Sequence, residues 1–199
     1  MLKANTAASA VSKIQNHTIL TYLAFFFVAS VCGWLWEVIV FWVQRSAEYS
    51  LWDLVMSYRG VLHGPWAPIY GVGAVLMVLL HRRVGRRPLC YFLTCMGICT
   101  VVEYAASWGL EQIFHAKWWD YTGYFLNING RICAMGLLFF ALAGMAVAYG
   151  LAPLFWRALN RIPRRGLAWG CAGIASLFLV DLFLSLAAPN LGLGVQILF

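Results

Sequence analysis

Apolar residues run along this chain in long unbroken blocks, and the polar and charged positions collect in the gaps between them. Five blocks stand out, at 19–43, 65–80, 89–114, 132–155 and 167–188. About 20 apolar residues in helical conformation cross a hydrocarbon core of roughly 30 Å. The pattern therefore predicts an all-α fold, a polytopic transmembrane helix bundle of about five spans. It forms a single domain over 19–188, with a polar lead-in at 1–18 and a short outer tail at 189–199. The first block is too long for a signal peptide and carries Glu37, so it is read as a span.

The second block breaks the pattern. Counted from Pro65 it is about 24 Å long, and counted from Arg59 about 33 Å. Its entry, RGVLHGPWAPIYG at 59–71, combines Arg59, His63, Gly60, Gly64, Gly71, Pro65 and Pro68. The prolines disturb a helix and the glycines admit close backbone approach. Either this stretch is a re-entrant loop or it is the kinked outer part of a helix. Irregular backbone at membrane depth is tolerated only against protein or a watery cavity, and broken helices mark transporter sites. Just before it, EYSLWDLVMSY at 48–58 spaces Leu51, Leu54, Val55 and Tyr58 at i, i+3, i+4 and i+7, predicting an amphipathic interfacial helix.

Composition excludes an ordinary soluble domain: 63% of residues are hydrophobic, 11% are charged and the mean hydropathy is +0.78. Lys3, Lys13, Arg82, Arg83, Arg86, Arg87, Arg157, Arg161, Arg164 and Arg165 fall on one side of a five-span topology, and Arg45, Arg59, Lys117 and Arg131 on the other. The richer side is cytoplasmic, which puts the N-terminus inside and the C-terminus outside. The net charge of +7 is thus a topology signal matched to membrane lipids, and nucleic acid is not an expected partner.

The same topology puts all seven carboxylates at or beyond the membrane centre on the outer side. Glu37 lies one helical turn from Gly33 in GWLWE, and by default an ionisable group inside a span is a functional candidate. The competing reading is a salt bridge to Arg59 that pins two spans. Cys99, Glu103, Ser107 and Glu111 recur at steps of four, a polar stripe that should face the bundle interior, with Glu103 the deepest acid. In HAKWWDYTGYFLNINGR, at 115–131, Trp118, Trp119, Tyr121 and Tyr124 suit an aromatic belt. That belt leaves Asp120, Asn127, Asn129 and Arg131 unexplained. Asn129-Gly130 is a turn signal, and Asn129 is placed to cap the fourth span. Arg131, at the unfavourable end of that helix's dipole, must answer Glu103, Asp120 or an anionic ligand.

Gly136, Gly144 and Gly150 offer close packing in the fourth span. In the fifth, Asp181 and Ser185 sit one turn apart near the outer end, where Asp181 ranks below Glu103 as a candidate. The tail after Pro189 carries no signal. The six cysteines contain no CxxC pair and read as small buried hydrophobes, so no metal site is expected. No phosphate-binding glycine loop, GxSxG or HExxH is present, and no cofactor is expected.

GWLWE, RGVLHGPWAPIYGVGA, the Glu103 span with Trp108, WWDY and NINGR, in this order and spacing, resemble the bacterial membrane family described as putative ABC-transporter type IV, or CmpB-like. The resemblance covers Tyr22 to Leu142 and leaves out the fifth span and the termini. It implies a multi-pass protein of the bacterial cytoplasmic (inner) membrane. The matching positions include Glu37, Arg59, His63, Gly64, Pro65, Trp66, Tyr70, Glu103, Trp119, Asp120, Asn129 and Arg131. It brings no assigned catalytic or binding residue.

Three functions fit these residues. One is a transporter permease or substrate-capture subunit, with Arg59 and Arg131 holding an anionic or lipid-linked ligand and Glu37 or Glu103 carrying a coupling proton. It requires an ATPase subunit in trans and a second copy of this chain, because no nucleotide-binding segment is present. Another is an intramembrane enzyme at the outer leaflet, with His63 as general acid or base oriented by Glu103 or Asp120. The third is a structural assembly partner, in which Arg59–Glu37 and Arg131–Glu103 are buried ion pairs.

Overall fold

The computed structural model describes residues 19–56, 60–193 and 195–198. Arg59 and Tyr58 lie outside the described residues. The helices are α1 (Ile19–Arg45), α2 (Leu51–Met56), α3 (Pro68–Val84), α4 (Pro88–Phe114), α5 (Ala134–Leu159) and α6 (Arg164–Ala187). Two short strands, β1 (Ala116–Lys117) and β2 (Gln196–Ile197), pair antiparallel. Of the helices, α1, α4, α5 and α6 are long and apolar enough to cross a membrane. At 17 residues, α3 is shorter, about 25 Å of helix.

The reason α3 is short is local. Residues 60–67 are non-helical, and the helix starts only at Pro68, where a missing N–H is harmless. In α5 the proline effect falls mid-helix. Pro153 cannot donate to Tyr149, and a π-helical segment at Val147–Leu151 absorbs the mismatch. The short α2 is opened by a reciprocal cap, with the Ser50 hydroxyl accepting from the Asp53 N–H and the Asp53 carboxylate accepting from the Ser50 N–H. Leu54 of α2 is fully buried against Trp34, Val38 and Ala67.

Two small-residue contacts set how α1 and α3 cross. The Tyr70 ring lies directly on Gly33, and Gly71 lies on Ser30 and Phe26; a Cβ at either glycine would overlap these neighbours. On the opposite flank of α3, Met77 seats against Gly144 of α5. Gly144 alone of the three glycines expected to pack in that helix does so tightly, since Gly150 faces open space and Gly136 has only ordinary contacts. The core formed by α1, α3, α4 and α5 centres on Phe25, Met77, Tyr91, Cys95, Ala148 and Trp156. Helix α6 is peripheral and reaches α1 through Phe178, whose ring meets Phe26 and Phe27 edge-on. Its outward face, with Leu177, Val180 and Phe183, is exposed and apolar, as a lipid-facing surface must be.

The two ends of the bundle differ in chemistry. At one end Tyr149 donates to the Gly85 carbonyl (2.6 Å) and Cys171 meets Leu20, among the arginines of the 82–87 and 157–165 turns. The other end gathers α2, the 60–67 loop, the 115–133 loop and the C-terminal tail. That tail is a structural strap rather than a passive end. Beyond the β1–β2 pairing, the Asn190 N–H donates to Val61 O (2.9 Å), and Asn190 O accepts from the Trp118 indole (3.1 Å).

Candidate functional site

Toward the loop-bearing end, the described residues form three neighbouring polar groups. The first organises the 60–67 loop. Asp181, from α6, accepts from the His63 N–H (3.0 Å), the Gly64 N–H (2.8 Å) and the Trp66 indole N–H (2.6 Å). Gly64 is needed here because a Cβ would come within 2.6 Å of the Trp66 ring. One helical turn on, Ser185 donates to Asp181 Oδ1 (3.2 Å) and stands 3.0 Å from His63 Nδ1. With its proton given to Asp181, the Ser185 oxygen accepts from Nδ1–H. In the Nδ1–H tautomer this contact leaves Nε2 as the outward-facing acceptor. The His63 side chain is half exposed (51%), while Ser185 is buried.

The second group pairs acids with phenols. Tyr70 donates to Glu37, and the Tyr121 phenol lies toward the Glu103 carboxyl. The placement follows from the contacts described above: Tyr70 lies over Gly33, one turn before Glu37, so its hydroxyl falls at that carboxylate. Glu103 is 6% exposed, and its Oε2 is buried with no hydrogen-bond partner. Tyr121 lies in the loop beyond the spans. There burial first, and then the charge of Glu103, push its phenol above the ordinary value.

The third group closes the loop over α4. Arg131 forms an ion pair with Glu111 (2.8 Å), donates to Ser107 (3.1 Å) and lies over the Tyr104 ring. Its answering acid is therefore Glu111, one stripe position above Ser107, and not Glu103 or Asp120. Asn129 adopts the left-handed region (φ 54°) and donates to the Tyr104 hydroxyl (2.9 Å). It does not cap α5; Cys133 does, its Sγ accepting from the Gly136 N–H. Asn127 accepts from the Gly130 N–H, and the Trp119 indole donates to the Arg131 carbonyl. Asp120 accepts from the Thr122 hydroxyl (2.6 Å) and N–H (2.8 Å), with Lys117 at 3.8 Å. The Thr122 hydroxyl, opposed by burial and aided by the Thr122 N–H and Lys117, holds Asp120 below the usual carboxylate range.

A sequence profile of the family described as Putative ABC-transporter type IV, the CmpB-like family, matches residues 24–186. The chain belongs to that family. The match extends beyond Leu142 and takes in α6, which the sequence resemblance left outside, and with it Asp181 and Ser185. Family membership and the four long apolar helices make this a membrane protein of a transporter-like family. No curated protein and no solved structure matches the chain.

Among the described residues, no hydrogen bond or ion pair joins His63 to Glu103 or Asp120; its partners are Ser185 and Asp181. Trp66 joins the His63 group, Tyr70 and Glu37 join the Glu103 group, and Trp119, Asp120, Asn127 and Asn129 hold the outer loop. Sequence reasoning underrated Asp181 and passed over Tyr121, Tyr104 and Asn190. The i, i+4 spacing of Asp181 and Ser185 was a usable signal. Tyr104 and Asn190 reach partners from 25 to more than 100 positions away, and nothing local marks them.

Proposed function

We propose that this chain is the membrane-embedded permease or substrate-capture subunit of a transporter in the bacterial inner membrane. It takes an anionic or lipid-linked ligand at the loop-bearing end. The arginines crowd the opposite end, and the positive-inside rule places that end in the cytoplasm and the loops outside. The observation that carries this reading is Asp181 holding the non-helical 60–67 segment. Two backbone donors and an indole are satisfied by a carboxylate from another span, so the segment stays open without a helix and presents the His63 ring. Broken helices of this kind form ligand sites in transporters. Arg59, four residues before His63 in sequence, supplies the donors and charge for an anionic group. Arg131 is committed to Glu111 and positions the loop.

The family description supports an ATPase partner. Native mass spectrometry of the protein released gently from its own membrane tests this. An ATPase subunit in stoichiometric amount, with a second copy of this chain, is the expected result. A lone chain retaining neither lipid nor anion overturns the reading.

A second reading rests on the His63 ring itself. Its Nδ1 is oriented by Ser185 and Asp181, and Nε2 is free to accept a proton, the arrangement of a general base. Buried Ser185 orients the ring and is no nucleophile. Turnover of a lipid-linked substrate by the isolated chain, lost in His63→Ala, would favour an enzyme acting at the outer leaflet.

A further inference from the structure

We propose that the arginine-bearing end of the bundle binds anionic phospholipid, with two headgroups seated in the clefts between α1 and α6 and between α3 and α4. Eight arginines gather there, in the 82–87 and 157–165 turns, and all are exposed. The chain has no acid to set against them. Neither turn contains a carboxylate, nor does the polar lead-in at 1–18. Along the helices that leave this end, the first acids met are Glu103 in α4, Asp181 in α6 and Glu37 in α1. Each stands about 22 Å or more of helix from the start of its own span. Among the described residues, no ion pair or side-chain hydrogen bond engages any of the eight guanidiniums, and Arg82 lies over the Tyr22 ring.

Positive-inside sorting accounts for the end at which these arginines lie and is indifferent to the lipid they meet. Two clefts add chemistry to that sorting. Arg164 and Arg165 line one of about 370 Å³, whose other walls are Leu20 of α1 and Ala168 of α6. It adjoins the contact of the Cys171 thiol with the Leu20 carbonyl (3.8 Å), by which α6 reaches α1 at this end. Arg83, Arg86 and Arg87 line the other, of about 560 Å³, together with Val84 of α3 and Cys90 of α4. Each cleft thus sets two or three guanidiniums against an apolar wall drawn from two helices.

A phosphodiester headgroup fits this pairing. Guanidiniums meet phosphate oxygens through paired N–H donors, and basic pockets between spans take anionic headgroups. The chains of the lipid then cover apolar surface beside the arginines, where Ile19, Leu89 and Trp169 are 88%, 72% and 79% exposed. Inorganic phosphate would leave that surface bare, and an acidic protein would have to displace lipid from it. Every arginine near an anionic bilayer surface contributes about a fivefold preference, so a two-arginine seat favours an anionic headgroup over a zwitterionic one by roughly thirtyfold. Such binding requires only that the chain span a membrane, and is independent of any transported ligand or ATPase.

Native mass spectrometry of the purified full chain, delipidated and then titrated with equal amounts of phosphatidylglycerol and phosphatidylcholine, tests this. The wild type should retain two phosphatidylglycerol molecules, in roughly thirtyfold preference to phosphatidylcholine. Arg164→Gln with Arg165→Gln should retain one, and so should Arg83→Gln, Arg86→Gln and Arg87→Gln together. Arg157→Gln with Arg161→Gln removes as much charge as the first of these, lines neither cleft and should retain both. All these side chains are exposed, so none of the variants disturbs the core. Equal retention of the two lipids, two phosphatidylglycerols still held by a cleft variant, or a loss in the Arg157/Arg161 variant as large as in the cleft variants would each overturn the proposal. Release of phosphatidylglycerol by inorganic phosphate, but not by chloride at the same ionic strength, would overturn it in favour of a free anion.

Discussion

Replacing Asp181 with Asn should release the 60–67 loop. The carboxylate takes three N–H donors, from His63, Gly64 and Trp66, at 2.6–3.0 Å. An amide cannot replace it: whichever way it is turned, its NH2 group faces at least one of those donors, and the charge is gone. Hydrogen bonds to a charged group contribute about 1.5–3 kcal/mol each, so loss of all three sets a ceiling of about 4.5–9 kcal/mol. Water entering beside the half-exposed His63 recovers part of this, leaving about 3 kcal/mol, roughly a hundredfold in the loop-opening equilibrium. Hydrogen exchange of the purified protein in nanodiscs reads that equilibrium at the His63 and Gly64 amides. Both should exchange about a hundredfold faster in Asp181→Asn, while α4 amides around Cys95 stay protected. Unchanged protection of His63 and Gly64 would show that Asp181 does not hold the loop, and would remove the observation on which the functional proposal rests.

Three further outcomes follow from the same contacts. Arg131→Met should lower stability by about 3 kcal/mol because it strands Glu111, whereas Arg131→Met combined with Glu111→Met should recover most of the loss. Equal destabilisation in thermal melts of the single and double variants would refute the pairing. Gly33→Ala forces a Cβ into the Tyr70 ring and should cost about 1–3 kcal/mol, while Gly73→Ala, whose Cβ meets open space, should be neutral or stabilising. The two variants melting alike would count against the α1–α3 contact. Asp120 is held below its ordinary value, so its contribution is present above the unfolded carboxylate value and is lost as pH falls through the folded one. Protection of the Thr122 amide, its exchange rate taken relative to the intrinsic rate at each pH, should therefore fall on acidification, and Asp120→Asn should abolish that acid sensitivity. An unaltered pH profile in the variant would place the sensitivity elsewhere.

The helices were legible because a span is a local property: some 20 consecutive apolar residues fix both its existence and its approximate ends. The break before α3 was legible for the same reason, since Pro65, Pro68 and the neighbouring glycines act on their own backbone. So was the polar stripe on α4, where a step of four places Cys99, Glu103 and Ser107 on one face, all three buried in the fold. Membership of the CmpB-like family was also readable from the motifs, although the fifth apolar block belonged to the match as well.

Pairing was not legible, because it depends on which helices are neighbours. Arg131 had three candidate partners in sequence, and the packing of the 115–133 loop over α4 gave it a fourth, Glu111. His63 was matched in sequence to Glu103 or Asp120, yet the placement of α6 beside the loop gave it Asp181, 118 positions away. Asn129 looked like a helix cap until its left-handed backbone turned the side chain toward Tyr104. The C-terminal tail carried no pattern at all, and it became a strap only because the ends of α4 and α6 lie together. Sequence determined where each polar group lies along its own helix. The tertiary structure decided which of them share a dry interior, where an unmatched charge or donor is most costly.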